Sequence, residues 1–171
     1  MKRTLLFVML CVACQPSVMR TQQPEARALP EAHSAADTAA VLGVVQRFFD
    51  AMAARDTAEW AQVLTPEGRW YGYTNSPDGF SMFTRTNREA IDGLGRSNDT
   101  IVERMWDATV LLHDRMAVVW TPYDLYINDV FSHCGIDAFT LLKVDDGWRI
   151  ASVVFSRQPQ GCAPSPLGPL R

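Results

Sequence analysis

Four long runs of β-branched and aromatic residues fill the stretch from Ile101 to Ser156, with short polar turns between them. The runs are Ile101 to Leu112, Met116 to Leu125, Val130 to Val144 and Trp148 to Ser156. His113-Asp114, Asn128-Asp129 and Asp145-Asp146-Gly147 separate them, and residues of these types tolerate the positive φ that tight hairpins require. An antiparallel meander is therefore expected, with one face that needs cover. The residues upstream supply it. Val41, Val45, Phe48, Phe49 and Met52 recur at spacings of three and four, the stripe of an amphipathic helix, with Asp37 as its expected cap. A second short helix carries Trp60, Val63 and Leu64 and stops before Pro66. A strand is expected around Arg69 to Tyr73, then a polar, turn-rich loop from Asn75 to Arg85. Thr86 with Glu89 three residues on is a capping box that opens a third short helix, to about Leu94. The expected class is α+β, three N-terminal helices packed on a curved antiparallel sheet.

The chain has 171 residues, room for one domain, and 47% of them are apolar, enough for a real core. Seven of the 10 prolines lie outside the middle: Pro16, Pro24, Pro30, Pro159, Pro164, Pro166 and Pro169. Proline excludes regular helix and central strand, so these mark boundaries. Residues 14–36 read as a flexible tether, 37–157 as the domain, and 158–171 as a Pro-rich tail. Residues 1–13 read as a secretory signal. Lys2 and Arg3 form a basic start, Thr4 to Val12 a short apolar stretch, and Ala13 is a small residue before Cys14. A Cys in that place fits a bacterial lipoprotein signal, with Cys14 the lipidated first residue. Against this, the usual Leu three residues before the Cys is here Cys11. Plain secretion with cleavage near Ala13, to the periplasm or beyond, is the other reading.

Of the 4 cysteines, Cys11 leaves with such a leader and Cys14 takes the lipid, so Cys134 and Cys162 remain. Export places them where disulfides persist, and a bridge would explain why a cysteine sits in a Pro-rich tail. Two buried free thiols are the alternative. The formal charge of −3 becomes −5 once the two cations Lys2 and Arg3 are removed, and no basic cluster follows. Nucleic acid is thus not an expected partner, and the membrane is expected only through a lipid anchor.

The order of elements, with the runs "VVQRFFDAMAARD", "WAQVL", "AVVWTPYDLY", "SHCGIDAFTLL" and "DGWRIASVVFS", resembles the secreted bacterial branch of the NTF2-like (nuclear transport factor 2) superfamily. That branch holds SnoaL-like and lumazine-binding types. The resemblance covers nearly the whole domain and implies a cone-shaped α+β fold, often paired as a homodimer through the outer sheet face. It is specific for fold and not for activity, because the superfamily holds isomerases, dehydratases and cyclases beside domains without chemistry. Ile136-Asp137-Ala138-Phe139 is similar to the ketosteroid-isomerase strand whose protonated Asp donates to a substrate oxygen, which implies that role for Asp137. The same alignment puts Phe48 at the position of the isomerase tyrosine. It puts Gly72, or Tyr71 with a slip of one, at that of its base. Without phenol and base, steroid isomerisation does not follow.

Alternation along the strands places His133, Asp137 and Phe139 on one face, with Arg157, Phe155 and Val153 facing them across the last hairpin. Across the preceding hairpin Trp120 falls near Asp137, and Asp124 near His133. The expected ligand-binding set is Tyr71, Trp120, Asp137, Phe139 and Arg157, around a small apolar or aromatic ligand. In the catalytic alternative His133 is a general base, with Asp137 orienting it or donating to an oxyanion, for a lyase, isomerase or cyclase. In the structural alternative Asp137 pairs with Arg157 or accepts from the Trp120 indole. His113-Asp114 reads as a turn, His33 lies in the tether, and Gly93-Leu94-Gly95 reads as a helix terminus. Trp106, Tyr123 and Tyr126 read as core or dimer surface. No metal-ligand spacing is present, and no cofactor is expected. The leading expectation is an exported small-molecule-binding domain without catalysis.

Overall fold

A computed structural model describes residues 35–77 and 79–170. The signal and Cys14, most of the tether with His33, and Asp78 and Arg171 lie outside the described residues. Helix α1 spans Ala35–Ala54 and buries the expected stripe, with Val41, Val45, Phe48, Phe49 and Met52 all in the core. Asp37 lies in its first turn rather than at its cap. The helix stops because Arg55 turns left-handed at φ 57°, and the Asp56 amide closes on the Ala51 carbonyl at 2.8 Å. Asp56 then accepts from the Ala58 and Glu59 amides as the N-cap of α2, Thr57–Val63. Two residues thus end one helix and start the next. This brings Trp60 of α2 onto Phe48 of α1, rings stacked 5.1 Å apart.

Seven strands follow: β1 Leu64–Ser76, β2 Gly79–Thr86, β3 Ile101–Met105, β4 Thr109–His113, β5 Met116–Ile127, β6 Val130–Val144 and β7 Gly147–Arg157. They form one sheet in the order β2-β1-β7-β6-β5-β3, with β4 also paired to β5. The segment read as a loop from Asn75 to Arg85 is largely strand. β2 pairs antiparallel with β1, Trp70 opposite Arg85. Its polar residues sit at a sheet edge, where one ladder and one solvated face satisfy them, so composition alone suggested a loop. Helix α3, Asn87–Arg96, opens at Thr86 with the full capping box, and Gly93 and Gly95 lie in its last turn.

The sheet is mixed, which corrects the all-antiparallel expectation: β1 runs parallel to β7, Trp70 opposite Val153. Turn residues specify hairpins between sequence neighbours, but they carry no information about which distant strand closes beside β1. The run Ile101 to Leu112 is also two strands rather than one. Met105 faces Tyr123 and Thr109 faces Trp120, so one extra residue bulges out between them. Pro122 stands opposite the bulge and cannot donate there, and Asp107 takes up the extra length at φ 46°. The three expected hairpin turns are present, with Asp114, Asn128, Asp129 and Gly147 all at positive φ. The tail folds back on the sheet. Cys134 and Cys162 form a disulfide, Cys134 and Gln158 exchange backbone hydrogen bonds, and the Gly168 carbonyl accepts from Arg104 at 2.8 Å.

The concave inner face of the sheet is covered by α1, and the interior is filled at one end by rings. Phe48, Phe49, Trp60, Trp70 and Phe139 contact one another with centroids 5.1–5.7 Å apart. The other end is open.

Candidate functional site

Strand alternation sends every second residue of β3, β5, β6 and β7 into the interior, and beyond the ring cluster these side chains do not meet. They line a cavity of about 290 Å³, at the small end of the roughly 300–1,000 Å³ usual for ligand pockets. Its walls are apolar, with Phe48 and Met52 from α1, Trp70 from β1, Phe83 from β2, and Phe139 and Phe155 from β6 and β7. Six ionisable groups are set among them: Arg85, Glu103, Tyr123, His133, Asp137 and Arg157.

Glu103 and Asp137 form the centre of the site. Asp137 is 2% exposed, and its Oδ2 is buried without an N–H or O–H partner among the described residues. The Glu103 carboxyl lies in hydrogen-bonding contact with it. Two carboxyls bond to each other only if one keeps a proton. Burial pushes Asp137 up to about 7, against which the bond to Glu103 pulls down. Burial, and then the neighbouring Asp137 charge, hold Glu103 well above the usual carboxylate range. The pair therefore keeps at least one proton at neutral pH, and its titration belongs to both groups together.

His133 is held differently. Its Nδ1 lies 2.9 Å from the Ser132 hydroxyl, and its ring meets Tyr123 edge-on at 5.7 Å. Burial, and secondarily the Arg157 charge, lower it to about 4, so it is neutral at physiological pH. Tyr123 donates to the Ser156 carbonyl at 2.8 Å, and burial raises its ionisation far above the ordinary range. The Arg85 guanidinium lies over the Trp70 ring, 4.4 Å from its centroid, with Nε buried and unpartnered. Burial lowers its pKa, countered by Glu103, yet a guanidinium stays charged near neutrality.

Asp137, Phe139, His133 and Arg157 thus share one cavity, but not as the pairs expected. His133 and Asp137 are four residues apart on one strand, about 13 Å along it, and each binds another partner. Asp137 also makes no ion pair with Arg157 among the described residues. Tyr71 and Trp120 are corrections: neither lines the cavity, and Trp120 is 54% exposed. The register places Thr121, not Trp120, opposite Asp137, and Leu125, not Asp124, opposite His133. A slip of one residue reverses the face. The turn pairs Ile127 with Val130 as expected, and the slip enters at a bulge between Tyr126 and Leu125, where the partner jumps from Phe131 to His133. Asp124 instead binds Arg104 through both carboxylate oxygens at 2.5–2.9 Å. Gly72 sits at the isomerase base position, and a Cβ there would meet the Phe83 and Phe155 rings at 2.5–2.6 Å. Aromatic packing occupies that place.

Glu103, Arg85, Trp70 and Tyr123 were not singled out as site residues from the sequence. Glu103 carried a usable signal, because Ile101, Glu103 and Met105 share a face and Arg104 takes the other. Arg85 carried none while its segment read as a loop. Among the described residues no cluster of His, Cys, Asp and Glu is arranged to hold a metal ion.

Comparison with solved structures identifies the fold. A cystatin-like-fold protein from Nostoc punctiforme superposes with a TM-score of 0.60 at 11% identity, covering 74% of this chain and 95% of that one. An NTF2-like superfamily protein from Salmonella enterica gives 0.55 at 15% identity, covering 72% and 91%. A putative dehydratase of the NTF2-like family from Streptomyces avermitilis gives 0.56 at 16%, covering 74% and 98%. At such identities the likeness concerns the fold alone. No curated protein sequence matches the chain. The sequence model of the family described as "Putative lumazine-binding" matches residues 36–156, most of the chain's length. The chain belongs to this putative lumazine-binding family, within the NTF2-like superfamily.

Proposed function

We propose that the protein is an exported binding domain that holds a small, planar organic molecule in the interior of its cone without transforming it. The observation that carries this reading is the open half of the interior. Six aromatic side chains wall the cavity, and unpartnered polar atoms of Asp137 and Arg85 border it. Two of the four such buried atoms among the described residues lie on this one cavity. The family description names lumazine, a planar heterocycle of a size the cavity accommodates. A thermal-shift screen with lumazine, flavins and other planar heterocycles tests the reading. No stabilisation by any of them would remove it.

The finer parts of this reading rest on the sequence. Residues 37–157 form the binding domain, the segment 14–36 tethers it, and Cys14 carries the lipid that holds it at the cell envelope. Fractionation is the test: Cys14→Ala should move the protein from the membrane to the soluble fraction. A homodimer would pair the outer sheet face, where Trp120, Leu111, Leu142 and Val154 are exposed. Light scattering of the soluble domain decides between one copy and two.

A second reading has one observation in its favour. The proton-sharing Glu103–Asp137 pair is the chemistry of a general acid–base centre, poised near neutral pH. It would serve dehydration or isomerisation of a small ring substrate, with His133 too weakly basic to take part. Turnover lost in both Asp137→Asn and Glu103→Gln would establish it; turnover unchanged in both would end it.

A further inference from the structure

The charges in the cavity do not balance. Two arginines, Arg85 from β2 and Arg157 from β7, line it, and among the described residues neither forms an ion pair. The two carboxyls opposite them touch each other, so they carry at most one negative charge between them near neutral pH. His133 and Tyr123, the remaining titratable groups on the cavity wall, are neutral. The nearby carboxylate of Asp124 is committed to Arg104. Arg157 is exposed at the rim and Arg85 lies deeper, so positive charge faces the cavity in excess of the carboxylate that meets it, and at Arg85 burial makes it costly. Arg85 shows the deficit locally. Its guanidinium is stacked on Trp70 in a fixed plane, and its buried Nε has a hydrogen to donate and nothing to receive it.

Resting on the small-molecule reading above, we propose that the ligand is a planar, singly anionic aromatic or heteroaromatic molecule, a carboxylate or enolate. Its charged group meets Arg85 and Arg157, and its ring lies among Phe48, Trp70, Phe139 and Phe155. A guanidinium held flat by an aromatic ring presents parallel N–H donors, which suits a carboxylate or a vinylogous pair of oxygens. The ring walls supply the apolar burial. The Glu103–Asp137 pair offers one donor and one acceptor to a neutral polar edge. A cation would add to the positive charge already facing the cavity.

The inference predicts a pH response of definite sign. As pH rises and the carboxyl pair gives up protons, negative charge enters the cavity and offsets the positive charge there. Affinity for an anion then falls. A neutral ligand has no reason to follow.

The probes are 2-naphthoate and its neutral isostere 2-naphthamide, titrated calorimetrically against the folded protein between pH 6 and 8.5. At pH 6.5 the naphthoate is expected to bind at least about tenfold more tightly, one charge-assisted hydrogen bond's worth. Arg85→Gln should abolish that preference while leaving amide binding in place. Arg157→Gln, at the exposed rim and so least able to disturb folding, should reduce it. Glu103→Gln should remove the loss of naphthoate affinity at high pH, a readout that a merely structural role would not move. Equal affinity for the two probes, a preference for the amide, or no binding by either would overturn the proposal. If naphthoate fails while a neutral heterocycle raises the melting temperature, the anion proposal falls and the binding reading stands. If nothing binds, both fall.

Discussion

The two ends of the interior are built from the same strands and the same helix, yet they obey different rules. At the filled end, polar atoms serve the packing. The Trp60 indole donates to the Phe48 carbonyl at 2.8 Å, and the Trp70 indole donates to a buried Asn87 that itself donates to Thr65. At the open end, ionisable groups face one another across a space, and polar atoms of Arg85 and Asp137 have no partner among the described residues. Phe48, Trp70 and Phe139 belong to both, as core on one side and cavity wall on the other. The difference teaches where stability and function reside. One end is a close-packed core, and the other is a place where burial has been tolerated without being satisfied.

Disturbing the filled end should have the largest effect. Trp60→Ala is expected to cost roughly 3–5 kcal/mol of unfolding free energy, measured by guanidinium denaturation, because it removes a stacked ring and leaves the Phe48 carbonyl buried. If the two ends are separate in kind, this variant should keep the wild-type pH dependence of stability. Next comes the covalent fastening of the open end. Replacing Cys134 and Cys162 together by Ser opens a loop of 28 residues, an expected loss of about 3–4 kcal/mol on the chain-entropy account. A loss much below 1 kcal/mol would mean that the tail's backbone bonds and the Arg104–Gly168 contact hold it unaided.

The third test addresses the ionisable groups, whose linkages run in opposite directions. Asp137 is raised from 3.8 to about 7, so the folded state holds its proton longer, and this contribution falls as pH climbs from about 4 to 7. His133 is lowered from 6.5 to about 4, so the unfolded state binds the proton first, and this contribution grows between about 4 and 6.5. Glu103, raised like Asp137, adds to the decline, and His133 offsets part of it in the wild type. His133→Gln should therefore uncover a stability that declines with pH. The double variant Glu103→Gln/Asp137→Asn should uncover one that rises, each by roughly 1–3 kcal/mol across the window. Denaturation midpoints at half-unit pH intervals read both, and parallel curves in the two variants would contradict the assignment. The smallest effect is expected away from both ends. Trp120→Thr on the outer face should change the unfolding free energy of the monomer by no more than about 0.5 kcal/mol.

Much of the scaffold was legible in advance. The spacing of Val41, Val45, Phe48, Phe49 and Met52, the Thr86–Glu89 box and the hairpin turns each depend on neighbours within a few residues. A local pattern can report a local structure. Cys134 and Cys162 were legible for another reason, since counting cysteines in a chain expected to be exported leaves few partners. The candidate site was half legible. Asp137, Phe139, His133 and Arg157 lie on one face by alternation, and the strands hold that alternation firmly. The partners were not legible. Whether Asp137 meets Arg157, Trp120 or Glu103 turns on the register of β5 and on the bulge between β3 and β4, and neither leaves a mark within the hydrogen-bonding pattern of a single strand.

What the chain determines by itself is therefore what short-range chemistry can specify: the helices, their caps, the turns and which residues of a strand share a face. What only the tertiary structure decided is the closure of β1 beside β7 and the meeting of Glu103 with Asp137, which arrives from a strand more than thirty positions away. The physical reason is that a carboxyl's neighbours, not its sequence context, set its charge. Either acid alone would read as an ordinary anion in solvent. Brought together in an apolar cavity, they keep at least one proton between them beside two arginines.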